Sequence, residues 1–443
     1  MALGGELPAW TILPFVGLLL SIALLPLAVP HFWESNRNKG LVAALFSAPV
    51  VLYLAIGFGH DGVHELLEKL KEYASFILLL TALFVITGGI TVRGSLSGTP
   101  LVNTFALGLG AVLANLIGTT GASALVIRPL LRANAPRERK VHIMVFFIFV
   151  VSNCGGLLTP LGDPPLFLGF LKGVPFGWTL SLWKEWLFVN GVLLLVFNFW
   201  DQHVLDQEEL ARPGSQLEAV MKHEPLRIEG LHNALFLAGV IATVFCAGQG
   251  VGHGGVPWPF GVQEGLLALL AFVAYQITHH EHREFNAFSF GPIVEVAVLF
   301  IGIFVTMAPA LLLLNAHAAD FGVREPWHFY WASGALSSFL DNAPTYLAFA
   351  ATAVGLHGVP VQGRYLAEFL GQGEAAARLL TAIACGSVMM GANSYIGNGP
   401  NFMVKAIAEE AGVRMPSFFG YMAYSCGILI PLFVAVTFLF MRS

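Results

Sequence analysis

The sequence predicts an all-α polytopic membrane protein, built as an inverted repeat in which each half has five spanning helices, one of them broken, and one re-entrant hairpin. Three observations carry this expectation. Of the 443 residues, 56% are hydrophobic and only 11% charged, whereas ordinary soluble domains carry about 25% charge. Apolar stretches long enough to span a bilayer fall into two equal sets on either side of one polar linker. A helix-breaking motif recurs at corresponding places in the two sets.

The first set runs near 9–29, 40–58, 74–92, 104–131, 141–172 and 181–200. Its opening segment is about 20 residues, the length of a spanning helix rather than of a signal-peptide core. The linker holds Glu208, Glu209, Arg212, Pro213, Gly214, Lys222 and Glu224. The second set runs near 232–249, 261–277, 292–314, 327–354, 376–407 and 416–441. The expected units are thus a first membrane repeat over 1–201, a cytoplasmic linker over 202–230 and a second repeat over 231–443.

Cytoplasmic loops carry the excess of lysine and arginine. Arg37 and Lys39, the group Arg128, Arg132, Arg137, Arg139 and Lys140, the linker, Arg283, and Lys405 with Arg414 share one side only if 104–131 and 327–354 fold back on themselves. Those two segments are therefore the expected re-entrant hairpins, and both termini are expected outside. The loop 250–261 has no lysine or arginine, in keeping with an external position. Five crossings per half is an odd number, so the second half is inverted.

The organising stretch is Ser152-Asn153-Cys154-Gly155-Gly156-Leu157-Leu158-Thr159-Pro160-Leu161-Gly162-Asp163-Pro164-Pro165, set in the middle of an apolar run. Backbone without helical partners is tolerated at that depth only where protein buries it or it lines a polar cavity, and an aspartate there marks a functional site by default. A shift of 235 residues pairs Ser152 with Ser387, Gly156 with Gly391, Thr159 with Ser394, Gly162 with Gly397, Asp163 with Asn398, Pro165 with Pro400 and Phe167 with Phe402. Ala82-Leu83-Phe84-Val85 matches Gly302-Ile303-Phe304-Val305 at a shift of 220. Inverted repeats with helices interrupted at matching places are the signature of a secondary transporter with a midplane site.

Four elements are expected to converge there. The first half contributes Asn115, Thr119, Thr120 and Ser123 from the hairpin, and Asn153, Thr159 and Asp163 from the break; the second contributes Asp341, Asn342 and Thr345, then Asn393, Ser394, Asn398 and Asn401. Nearly all are oxygen donors, as hard cations require. Asp163 and Asp341 are the two acids, and no lysine or arginine lies within the tip motifs Gly118-Thr119-Thr120-Gly121 and Asp341-Asn342-Ala343-Pro344. An anion placed there would face two carboxylates, whereas a sodium ion or a proton would be attracted. The competing reading is that each aspartate merely caps a helix. Glu295 is a proton-path candidate or a snorkelling side chain. The group His279-His280-Glu281-His282 reads as a solvated loop, with metal binding or pH sensing as the alternative.

Several classes are not supported. The four cysteines have no paired spacing and read as small buried residues. The Gly252–Gly255 stretch lacks the lysine of a phosphate loop. No nucleophile and base pair or metal triad suggests an enzyme, no cofactor is expected, and no basic stripe points to nucleic acid.

At the quoted residues the sequence resembles the ion transporter superfamily that includes NhaD-type sodium/proton antiporters, ArsB-type arsenite carriers and the citrate and dicarboxylate transporters. Asn153-Cys154-Gly155-Gly156 through Pro160-Leu161-Gly162-Asp163 looks like the NhaD-type Asn-x-Gly-Gly run leading into Pro-Ile-Gly-Asp, and Asp341-Asn342-Ala343-Pro344 like its Asp-Asn-x-Pro hairpin. Gly397-Asn398-Gly399-Pro400-Asn401 is similar to the Gly-Thr-Pro-Pro-Asn break of the dicarboxylate carriers. The tips depart from the Ser-Asn-Thr of those carriers, and Pro164-Pro165 departs from the threonines usual in NhaD-type proteins. The resemblance implies a homodimer with a scaffold and a mobile part that moves as an elevator. The expected function is exchange of sodium or lithium for protons across a bacterial-type inner membrane, with sodium and proton at Asp163 and Asp341. The rival expectations are cation-coupled carriage of citrate or a dicarboxylate, arsenite efflux, and a channel.

Overall fold

The computed structural model describes residues 3–211, 215–222 and 224–442, so Arg212, Pro213 and Gly214 of the expected linker lie outside the described residues. The chain is 77% helix and 3% strand. Among the described residues, nine helices are long and apolar enough to cross a membrane. It is an all-α polytopic membrane protein. Large apolar side chains such as Leu45 and Ile56 face outward, as a lipid-facing surface requires.

The chain opens with α1 (Leu13–Ala28), α2 (Asn36–Gly57) and α3 (Gly59–Thr87). α3 starts well before the expected residue 74. Its first turns are charged, but Lys69 pairs with Glu65 and Glu72, and Lys71 with Glu68, at helical spacing, and such pairs support a helix that hydropathy does not register. Strand β1 (Thr91–Ser95) follows.

The next element, α4 (Pro100–Ala133), is interrupted at Gly118, whose φ of 77° and ψ of 154° are not helical. In a straight helix Asn103 and Asn134 would stand about 45 Å apart at 1.5 Å per residue. Their side-chain amides instead exchange hydrogen bonds of 3.0 and 2.8 Å. α4 is therefore a hairpin reversed at Gly118, where the positive φ calls for glycine.

α5 (Val141–Val150) ends in a 3₁₀ turn over Cys154–Leu157, and α6 (Pro164–Leu171) resumes beyond it. All of α5 from His142 onward is buried, so the break opens inside protein and not in lipid. α7 (Trp183–Ala211) continues past the expected end of the first repeat. The buried Arg137 explains why: it binds Asp201 at 2.9 Å and Glu208 at 2.7 Å, both on α7, and holds those polar turns against the fold. The linker then forms β2 (Glu224–Glu229), antiparallel to β1 with Thr91 opposite Glu229. The strand was not anticipated from a polar connector.

α8 (His232–Gln249) closes on Gly250 in the left-handed region and is followed by α9 (Val262–Ile277) and α10 (Gly291–Ala316). α10 packs on α3, with Phe76 stacked on Phe300 at 4.9 Å and tilted against Phe304 at 5.8 Å. The second hairpin comprises α11 (Pro326–Ser337) and α12 (Asn342–Leu356), whose Phe329 and Phe349 meet at 6.5 Å. α13 (Glu374–Met389) runs into a 3₁₀ turn, Met390–Asn393, before α14 (Gly399–Glu410), and α15 (Phe418–Val436) follows. Cys154 and Cys385 are buried, but Cys426 is exposed on α15 and Cys246 is half-buried, a correction to the reading of all four as buried.

Candidate functional site

The two breaks are built alike. A Cβ on Gly162 would run into the carbonyl oxygen of Gly156, and one on Gly397 into that of Gly391, so each break folds tightly over a glycine pair. Thr159 donates its hydroxyl to the Asn115 carbonyl and accepts from Leu161 N at 3.2 Å. At a shift of 235, Ser394 donates to the Ser338 carbonyl and accepts from Ile396 N at 3.3 Å. Carbonyls freed by the breaks are taken up by the helices that follow. Trp186 and Asn190 of α7 donate to Gly155 and Cys154, and Tyr421 and Ser425 of α15 donate to Ala392 and Asn393. These four donors were not among the sequence candidates, although they obey the same 235-residue shift and could have been found by extending it.

Asp163 is the point where all four elements meet. It occupies the position before α6, yet its side chain caps no amide of that helix. Its carboxylate instead accepts from Thr119 Oγ1 at 2.9 Å (first hairpin tip), Asn342 Nδ2 at 2.5 Å (second tip) and Asn398 Nδ2 at 3.3 Å (second break). The group is 1% exposed. Asp341 differs: it is half-buried and caps α12, accepting from Ala343 N at 3.0 Å. The capping alternative thus describes Asp341 and not Asp163. The charge of Asp341 acts on Asp163, and among the described residues neither carboxylate has a basic partner.

Around them runs an amide ladder. Asn153 donates to Asn401 Oδ1 at 2.7 Å and accepts from Asn398 at 3.2 Å, while Asn401 donates to the carbonyls of Gly391 and Ser394, both at 2.9 Å. Asn342 Oδ1 is buried without a partner. A Cβ on Gly391 would lie 2.9 Å from that oxygen and 3.1 Å from Asn153 Oδ1, so the missing side chain keeps two amide oxygens clear.

The other candidates fall into place around this centre. Thr345 bonds the Asp341 carbonyl within its own helix, Ser123 pairs with Ser152 at 2.9 Å, and Asn393 donates to Ser338 while its Oδ1 stays unpartnered. Thr120 lines a cavity beside Asp163 with Gly118, Thr119, Leu83, Phe84 and Ile293. Glu295 is not brought to the site: it pairs with Lys39 on α2 at 2.7 Å and does not line that cavity. Of the histidine group, His280 is exposed, whereas His282 is largely buried and lies 3.5 Å from Glu229 of β2. No group of three or more metal-ligating His, Cys, Asp or Glu side chains exists among the described residues.

A protein-family model described as "Putative citrate transport" matches residues 4–441. The chain belongs to that family. No curated protein matches it. As a member of that family it is a multi-pass membrane transporter, and both hairpins and both breaks lie within the matched part.

Proposed function

We propose that this transporter exchanges sodium, or lithium, for protons across a bacterial-type inner membrane, with Asp163 as the group that carries either ion. One observation supports this above the others. Asp163 is buried, is held by three neutral donors from three other elements, and among the described residues has no positive side chain beside it. A lone charge in such surroundings is costly unless a counter-charge arrives. A proton or a small hard cation supplies it, and one carboxylate holds one or the other, which couples the two.

In this reading Asn342 offers Asp163 its nitrogen while the carboxylate is empty and turns its unpartnered oxygen to a bound cation. Asn153, Asn398 and Asn401 keep the two breaks in register, and Thr119 holds the carboxylate towards the first tip. Thr159 and Ser394 shape the breaks by bonding backbone. Asp341 adds negative potential while it caps α12. The two repeats are related by an inverted topology, with hairpins and broken helices moving against α2, α3 and α10, both termini outside, and the working unit a homodimer.

Proteoliposomes carrying a trapped pH dye test this. Sodium or lithium added outside should drive proton movement in the wild type and in neither Asp163→Asn nor a protein-free control. Unchanged sodium-driven flux in Asp163→Asn sinks the reading, whereas Asp341→Asn should weaken the flux without abolishing it. The family description favours a second reading, cation-coupled citrate uptake, in which the cation at Asp163 neutralises the site and citrate binds beside it. Sodium-dependent accumulation of labelled citrate would select it.

A further inference from the structure

At the far end of α6 from Asp163, Lys172 places its ammonium on Glu72 of α3. Lys69, one turn away on α3, also binds Glu72, at 3.3 Å, and Glu65 lies 3.7 Å from Lys69. Lys69 and Lys172 are both buried. The backbone of Lys172 accepts from Leu366 N at 3.0 Å, and its ammonium lies 5.6 Å from the ring of Tyr365, in the segment that joins the second hairpin to α13. Lys172 is thus anchored to the hairpin and break elements, while Glu72 and Lys69 belong to the α3–α10 body. A polar cavity lined by Lys69, Glu72, Lys172, Arg364 and, from the loop 250–261, Trp258 and Phe260 adjoins the contact. The cavity beside Asp163 lies at the other end of α6.

A buried ion pair adds little net stability, because desolvating the two charges offsets their attraction. Its position between two bodies gives it a different consequence. If Lys172 departs with α6, Glu72 still has Lys69 as a partner on its own helix, and the one negative charge left in excess, shared by Glu65 and Glu72 around Lys69, faces the polar cavity, while Lys172 moves along that cavity with Tyr365 still beside it. We infer that the Lys172–Glu72 contact is a separable latch that shuts the Asp163 site off from the loop 250–261 side and must part when that side opens. The inference rests on the proposed motion of hairpins and breaks against α3. It is independent of which solute is carried.

The test therefore uses no cargo. The full chain, with Cys246→Ser and Cys426→Ser, takes spin labels at Leu67→Cys on α3 and Leu180→Cys beyond α6, both exposed positions, and inter-label distances are read in lipid nanodiscs. Lys172→Met and Glu72→Gln should each add a population displaced by about one helical turn, ~5 Å. Lys172→Arg should keep the wild-type distribution. Should Lys172→Met fail to fold, Glu72→Gln opens the same contact from the other body. Distributions of Glu72→Gln, and of Lys172→Met where it folds, that superimpose on wild type overturn the latch even if sodium/proton exchange is confirmed.

Discussion

Asn342 Nδ2 lies 2.5 Å from Asp163 Oδ2 across 179 residues of chain, joining the tip of the second hairpin to the break of the first broken helix. The same amide keeps its oxygen buried and unpartnered. Removing that amide tests whether it serves the ion or only the fold. With a cation bound the amide oxygen faces the ion, and a polar contact to a charged group contributes about 1.5–3 kcal/mol. Asn342→Ala should therefore weaken sodium activation of proton flux by about 10- to 100-fold, and Asn342→Asp should not restore it, because a third carboxylate then crowds Asp163. Titration of flux against sodium concentration reads the effect.

Competition for one carboxylate has a definite sign. As pH falls, protons occupy Asp163 and the sodium concentration for half-maximal activation rises. In the competitive range the rise approaches about tenfold per pH unit, the limit for exchange of one proton against one ion. Half-maximal sodium that stays constant from pH 6 to pH 9 would exclude a shared site.

The glycine pairs make a structural prediction in both halves. Gly162→Ala and Gly397→Ala each drive a methyl group into the partner glycine's carbonyl within a buried break. Overpacking of this kind costs about 1–3 kcal/mol. Both variants should lose thermal stability in detergent by similar amounts, since the two breaks share this contact, whereas Gly399→Ala, which meets nothing, should not.

Arg137 should matter more than its place in a basic cluster suggests. It is buried with Asp201, which is also held by His142 at 2.8 Å and Asn103 at 2.8 Å, at the base of the first hairpin. Breaking a buried pair costs about 3–5 kcal/mol because the remaining charge is stranded. Arg137→Met should be destabilising on that scale. Arg137→Met combined with Asp201→Asn should recover part of the loss, and a double-mutant cycle on melting temperature measures the coupling.

The all-helical membrane class, both chain reversals and both breaks were legible in residues alone. The reversals were read from where lysine and arginine fall, with a glycine at φ 77° turning the first hairpin, and the breaks from Gly and Pro clustered inside apolar runs. The alignment of Thr159 with Ser394 was legible too, because each hydroxyl serves backbone in its own repeat. The partner of any single charged side chain was not legible. Arg137 near a helix end looks the same in sequence whether it faces lipid headgroups or is buried on α7, and Glu295 gave no sign that Lys39 holds it.

By itself, then, the sequence determined where this chain spans, turns and breaks, since those depend on hydropathy and on the backbone freedom of a few neighbouring residues. Only the tertiary structure separated the two aspartates, making Asp341 a helix cap and Asp163 the meeting point of Thr119, Asn342 and Asn398. Whether a carboxylate caps its own helix or receives donors from elsewhere depends on groups 44 to 235 residues away, and their arrival is decided by packing rather than by local pattern.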